Sequence, residues 1–325
     1  MNNDMATITA AQPLISIIVP IFKAERFLRI ALNSILAQTF ANWEAILVND
    51  GSPDNSGKIC DEYAKTDSRF KVIHKEKNEG TFLARKSALE IARGVYIAHL
   101  DSDDYYDAEF LEKMHNKAVE IDGGYDMVFC GYKIISPEGN LVRETRFKSD
   151  FIWEKNREDR LRDYFTKKYS QFALWNTLVK KEFYDKVIFP DIFLTLREDT
   201  FIYMQLCFFM KTVALLKENL YSYIHYTNTA SHQVQKSADD VLRKMKIETV
   251  FYEHSCMVLK KINDEKYLNT FIKYYSPIFV SSKVRYFSLP RSERMKLKET
   301  RFLERFSELH KHAKLKHKIL LFLRS

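Results

Sequence analysis

The sequence predicts an α/β protein: a mostly parallel sheet with helices on both faces, followed by a helical C-terminal region. Three observations lead there. Over the first hundred residues short apolar runs alternate with amphipathic stretches through short connections, the pattern of strand–helix units packed on both sides of a sheet. After Asp107 the alternation loosens into mixed segments. From Ser237 onward the chain reads as almost wholly helical. The 325 residues, 46% of them apolar, suffice for one large core or two smaller ones, and 8 Gly and 7 Pro leave little room for disordered linkers.

Each element follows from its local pattern. LISIIVP (14–20) is a short apolar run, as expected of a buried strand. ERFLRIALNSILAQ follows as a helix, with Phe27, Ile30, Ala31, Ser34 and Ile35 at helical spacing. WEAILVND is the second strand, SGKICDEYAK a helix, FKVIHK the third strand, TFLARKSALEIA a helix and GVYIAHLD the fourth strand. Beyond it, AEFLEKMHNKAVE reads as helix, YDMVFCGYKII as strand and PEGN as turn. NREDRLRDYFTKKY reads as an amphipathic helix, and LREDTFIYMQLCFF as a helix with an acidic start.

Composition excludes several classes. Cys60, Cys130, Cys207 and Cys256 are scattered without metal-knuckle or redox spacing, the usage of buried, reduced thiols. The opening MNNDMATITA lacks the basic and apolar regions of a signal peptide, and the best apolar run, FIYMQLCFFM, is too short to span a bilayer. A cytoplasmic protein is expected. Net charge is +8, and from Arg285 onward 12 Lys and Arg stand against 4 Glu, so this stretch alone matches the excess. The tail HKHAKLKHKILLFLRS suits an anionic membrane surface or a solvated terminal helix. No nucleic-acid recognition module is visible, and none is expected as a partner.

In open α/β sheets, ligands bind beyond the carboxyl ends of the strands. Here Pro20 and Phe22 close the first strand, Asn49 and Asp50 the second, and the acids Asp101, Asp103 and Asp104 the fourth. Three strand ends should therefore converge on one crevice. Asp50 there can accept the imide N–H of a uracil-like base, with Pro20 and Phe22 against its flat face. Like charges as crowded as the three later acids repel by roughly 4 kcal/mol per pair at about 4 Å. A hard divalent ion shared with a diphosphate would relieve that. Helix capping by Asp103, Asp104 and Asp107 is the competing reading, and Asp50 taken alone suits a turn. Shared placement at strand ends favours a site. Glu198–Asp199 poses a similar choice, between capping the following helix and taking a proton from an incoming hydroxyl.

Taken in order, four segments resemble the family 2 glycosyltransferases with a GT-A fold, over residues 15–231. They are SIIVPIFKAERFLRIALNSILAQTF, WEAILVNDGSPDNS, NEGTFLARKSALEIARGVYIAHLDSDD and WNTLVKKEFYDKVIFPDIFLTLREDTFI. The resemblance implies a nucleotide-sugar donor, a UDP-sugar foremost, a divalent cation (Mn²⁺ or Mg²⁺) and inversion at the sugar carbon. Pro20, Phe22 and Asp50 match donor-base positions, Glu25 lies in the same segment, and Arg85 falls near the donor diphosphate. Asp101 and Asp103 match the D-x-D pair of the metal site, with Asp103 the direct ligand and Asp101 turned toward ribose or sugar. Asp104 matches a further acidic position at donor or metal. Asp199 matches the catalytic base and Glu198 the acceptor side.

Some positions depart from the family pattern. Phe22 and Lys23 stand where Tyr and Asn are usual, and Asn49 replaces the first Asp of DDGS. YSYIHYTNTASH follows the closing segment only loosely; its His225 and His232 are candidate contacts to metal or diphosphate, and equally ordinary histidines.

The resulting division is an N-terminal extension (1–13), a GT-A domain (14–231) with nucleotide-binding (14–107) and acceptor-side (108–231) halves, and a basic helical region (232–325). The expected acceptor is a glycan or lipid-linked glycan of the lipopolysaccharide or capsule kind, met at the inner face of the cytoplasmic membrane. Two rivals remain. A nucleotidyltransferase would want a glycine-rich phosphate loop, and none occurs. A sugar-nucleotide-binding or membrane-docking protein without turnover is opposed by the intact Asp50, Asp103 and Asp199.

Overall fold

The computed structural model describes residues 12–147, 156–166, 173–192, 197–225, 238–275 and 311. His232 and, apart from residue 311, the basic tail lie outside the described residues. Strands β1 (Ile15–Ile21) and β2 (Trp43–Asn49) are buried along their whole length, which is why they run apolar without alternation. With β3 (Phe70–His74) and β4 (Tyr96–His99) they form a parallel set in the order β3-β2-β1-β4. Helices α1 (Leu28–Leu36), α2 (Ser56–Thr66) and α3 (Thr81–Ile91) make the crossovers.

Beyond β4 the sheet becomes mixed. The chain continues through β5 (Tyr105–Tyr106), α4 (Phe110–Ala118), the β6 (Met127–Ile135)–β7 (Leu141–Glu144) hairpin and α5 (Arg157–Phe165). A 3₁₀ turn (Leu174–Asn176) leads into β8 (Thr177–Lys180) and α6 (Lys181–Tyr184), and then come α7 (Glu198–Phe209) and β9 (Val213–Ile224). β8 lies antiparallel between β4 and β6, β9 runs parallel to β6, and β5 pairs antiparallel with β9. This half lacks regular strand–helix units, so its mixed directions were not legible in the alternation.

Successive strand residues point to opposite faces, and the core divides accordingly. Ile17, Val19 and Leu47 pack with Leu28 and Leu32 of α1 and Phe110 of α4 on one face. Ile18, Ile46 and Val48 pack on the other with Phe82 of α3 and Phe201 and Met204 of α7. Helix α8 (Ala238–Lys261) and the helical residues 265–275 join this second layer through Phe251, Tyr252, Tyr267, Phe271 and Tyr275. Helix α8 and residues 265–275 are thus part of the main core. Cys60, Cys130 and Cys207 are buried free thiols, as expected, whereas Cys256 is only half-buried. Among the described residues, no helix is long and apolar enough to cross a membrane.

Candidate active site

Because β2, β1 and β4 are parallel neighbours, their carboxyl ends lie side by side. The Asp50 N–H donates to the Ile21 carbonyl at 2.8 Å, tying the ends of β1 and β2 together. The buried Asp50 carboxylate accepts the N–H groups of Glu79 at 3.0 Å and Gly80 at 2.8 Å. It thereby fixes the loop that launches α3, and each oxygen keeps a further lone pair. Gly51 makes this turn possible: its φ is +65°, and a Cβ there would stand 2.5 Å from the Lys77 carbonyl carbon.

Asn49 has a local reason to be an amide. Its Oδ1 accepts from the Ser52 N–H at 3.2 Å, while its Nδ2 donates to His74 Nδ1 at 3.0 Å. A carboxylate could only accept. Pro20 is buried within β1, whereas Phe22 just beyond is 42% exposed, with the Lys23 ammonium 5.3 Å from its ring centroid. Lys23 has φ +53°, a left-handed conformation that asparagine adopts more readily. Glu25 is turned elsewhere. Its carboxylate accepts the Asn55 N–H at 2.7 Å, at the start of α2, and lines a separate cavity of about 630 Å³. The α2 loop thus engages this acid at one carboxylate oxygen.

At the end of β4, the acids are organised by Arg85 from α3. Its guanidinium is 1% exposed and donates through Nη2 to Asp101 Oδ1 at 2.9 Å. The same nitrogen lies 3.7 Å from Asp199 Oδ1. One buried cation therefore joins the D-x-D segment to the acid that opens α7. Burial works against the Arg85 charge, and Asp101, Asp199 and Glu198 more than offset it. The arginine lies among carboxylates, with Asp101 in direct contact.

Behind Arg85 stands His99, which the sequence reading did not single out. Arg85 Nη1 lies 3.0 Å from His99 Nδ1, and His99 Nε2 lies 2.9 Å from the Tyr184 hydroxyl. Arginine has no acceptor, so Nδ1 accepts and Nε2 carries the proton toward Tyr184. Burial and then Arg85 hold this imidazole well below its ordinary pKa, so it is neutral. A titratable residue in a strand buried on both faces was the available signal.

Asp104 departs from expectation. It is 1% exposed, and Tyr221 Oη donates to one carboxylate oxygen at 2.7 Å and the Ile224 N–H to the other at 2.8 Å. It pins the acidic turn to β9 and does not open toward a ligand. Burial and the charges of Asp103 and Asp101 push its pKa well up. Tyr221 also lies 3.4 Å from the Asp101 N–H and stacks on Trp175 at 4.4 Å between ring centroids. Neither aromatic was anticipated. The alternation LYSYI in β9 was the only hint of Tyr221.

Asp103 is different. Among the described residues its carboxylate has neither an ion pair nor a hydrogen bond to another residue, and burial followed by repulsion from Asp101 pushes its pKa up to about 6. An acid held beside a second acid without a protein partner has the donor chemistry for a hard divalent cation. Among the described residues no three potential ligands are already gathered in a metal-binding geometry. Mg²⁺ bound through one or two carboxylates and phosphate oxygens needs no such cage.

Glu198 and Asp199 begin α7. The Asp199 side chain is 28% exposed, while its Oδ1 is buried and has no hydrogen-bond partner. Burial raises its pKa, Arg85 opposes, and Asp101 adds to the rise. The Glu198 pKa is also raised, by burial and then by Asp199. His225 ends β9 through a 2.8 Å bond from its N–H to the Ile135 carbonyl.

The comparisons agree with this architecture. The sequence pattern of glycosyl transferase family 2 matches residues 16–188. An uncharacterized glycosyltransferase of Bacillus subtilis, EpsJ, is 28% identical over 95% of this chain and 89% of its own length. EpsH of the same organism, also named as a glycosyltransferase, is 31% identical over 82% of this chain and 76% of its own. Among solved structures, Staphylococcus aureus TarS residues 1–349 match with a TM-score of 0.61 at 20% identity, over 94% of this chain and 88% of that one. Its complex with UDP-GlcNAc matches with a TM-score of 0.59. The fold, the ordered motifs and the relatives matched over most of their length converge: this chain belongs to glycosyl transferase family 2.

Proposed function

We propose that the protein transfers one sugar from a UDP-sugar to a glycan hydroxyl with inversion, using Asp199 as base. The observation that carries this reading is the Arg85 guanidinium, 2.9 Å from Asp101 and 3.7 Å from Asp199. The proposed donor-side acid and the proposed base, nearly a hundred residues apart, thus both lie against one guanidinium.

In this reading Asp50, Pro20 and Phe22 receive the base of the nucleotide. Asp103, with Asp101 beside it, holds a Mn²⁺ or Mg²⁺ ion. The ion, when bound, supplies Lewis-acid stabilisation of charge on the departing diphosphate. Asp199 takes the proton of the acceptor hydroxyl, and burial that raises its pKa strengthens it as a base, provided it is ionised. Arg85 keeps it so. A single base serves one displacement, and no second carboxylate nucleophile is required. Glu198 faces the acceptor. The family likeness and the TarS complex with UDP-GlcNAc support a UDP-sugar donor. The family likeness also supports a surface glycan or lipid-linked acceptor, and the basic tail a site of action at the cytoplasmic membrane.

The test is incubation with labelled UDP-sugars and Mn²⁺. Slow, metal-dependent UDP release supports the transferase. Tight UDP-sugar binding with no turnover for any of them would replace it with a binding module.

A further inference from the structure

The turn into α7 is made by Arg197, whose φ of +71° places a non-glycine residue in the left-handed region directly ahead of Glu198 and Asp199. Such a conformation is costly for a residue with a Cβ and persists where its surroundings hold it. Its carbonyl accepts the Phe201 N–H at 2.8 Å, an early hydrogen bond of α7. The geometry of this one residue therefore sets the direction of the turn that carries Asp199.

The group that holds it comes from the C-terminal helices. Glu248 on α8, 51 residues downstream, accepts from Arg197 Nε at 3.1 Å and from Nη2 at 2.9 Å. The Tyr275 hydroxyl donates to the other Glu248 oxygen. Tyr275 is fully buried and packs on Phe271 at 5.3 Å and Phe251 at 4.7 Å between ring centroids. Glu248 is thus anchored from behind by a rigid aromatic cluster and in front by Arg197. The Glu248 side chain is 15% exposed and that of Arg197 39%, so the carboxylate is sheltered while the arginine meets water.

We propose that Glu248 and Tyr275 are positioning residues for the base: they hold Arg197 in its left-handed turn and so fix the direction in which Asp199 leaves α7. This rests on the reading of Asp199 as base. The C-terminal helices then complete the site.

The test exploits glycine, which adopts positive φ without a Cβ penalty. Turnover is followed as UDP release from UDP-GlcNAc, UDP-glucose and UDP-galactose with Mn²⁺. Amide hydrogen exchange of residues 198–202 is measured alongside. Glu248→Ala should lower kcat roughly tenfold, the population cost of an unheld left-handed residue, with donor KM within about twofold. Exchange in the first turn of α7 should speed up by a similar factor. Adding Arg197→Gly to Glu248→Ala should restore most of both, which a packing role for Glu248 would not do. Unchanged kcat and exchange in Glu248→Ala overturn the proposal. So does a loss that glycine does not rescue and that moves kcat, KM and Tm together. Asp199→Asn separates the two readings. Full transfer in that variant removes the base, leaving hydrogen exchange to decide on the clamp. An inactive Asp199→Asn beside a normal Glu248→Ala removes the clamp alone.

Discussion

Replacing Asp103 with asparagine should make the metal-free protein more stable above neutral pH, although it deletes a proposed cation ligand. Burial and the charge of Asp101 raise the Asp103 pKa from 3.8 to about 6. At 1.36 kcal/mol for each tenfold change, ionising it in the native state costs about 3 kcal/mol. The sign follows from proton binding. The native chain holds this proton more tightly than the unfolded chain, so the contribution is full below pH 3.8 and is lost as pH rises through about 6. Asparagine never ionises. Urea unfolding in EDTA should therefore show Asp103→Asn gaining on the parent between pH 4 and pH 8, by up to about 3 kcal/mol. Mn²⁺ with UDP should close most of that gap, because only the parent gains full binding energy. At a hundred times Kd that gain is about 2.7 kcal/mol. A stability difference independent of pH would refute the reasoning, as would equal Mn²⁺ stabilisation of both proteins.

Four further outcomes are expected. Asp199→Asn should keep UDP binding but cut turnover at least roughly a hundredfold; calorimetry and UDP release measure the two, and full activity would take the base role from Asp199. Arg85→Gln removes the charge that holds the Asp199 pKa down, so the acidic limb of kcat/KM should move to higher pH, with activity at pH 6 falling more than at pH 9. An unmoved limb would disconnect Arg85 from the base. His99→Phe strips the acceptor from Arg85 Nη1 and should cost about 1.5–3 kcal/mol in urea unfolding; a neutral result would mean that Arg85 finds another partner. Deleting residues after Lys296 should release the protein from anionic vesicles, since each Lys or Arg near such a surface contributes about 1 kcal/mol. Retained vesicle binding would place the contact elsewhere.

Much of this was readable in one dimension, and the limits have physical causes. The parallel half was legible because β1 and β2 are buried on both faces and leave uninterrupted apolar runs between short helices. That Asp50 and Asp101 follow the same end of neighbouring parallel strands could be read from strand direction alone. What local pattern could not convey was which acids are already engaged. Asp104 and Glu25 look as available as Asp103 in the sequence, yet Tyr221 with Ile224 and the Asn55 N–H, respectively, hold them. Those partners are set by sheet order and loop packing. His99 and Tyr184 meet across 85 positions, a contact with no periodic trace. The left-handed Arg197 was hidden for a related reason: arginine carries no propensity for that conformation, and its holding partner Glu248 lies in another helix.

The most direct measurement is the manganese anomalous signal in crystals soaked with UDP and Mn²⁺. The account predicts one Mn²⁺ peak on the Asp103 carboxylate beside Asp101, the uracil ring between Phe22 and Asp50, and the Asp199 carboxylate facing the same cleft. A manganese peak remote from Asp103, or UDP seated away from the β1, β2 and β4 strand ends, would contradict it.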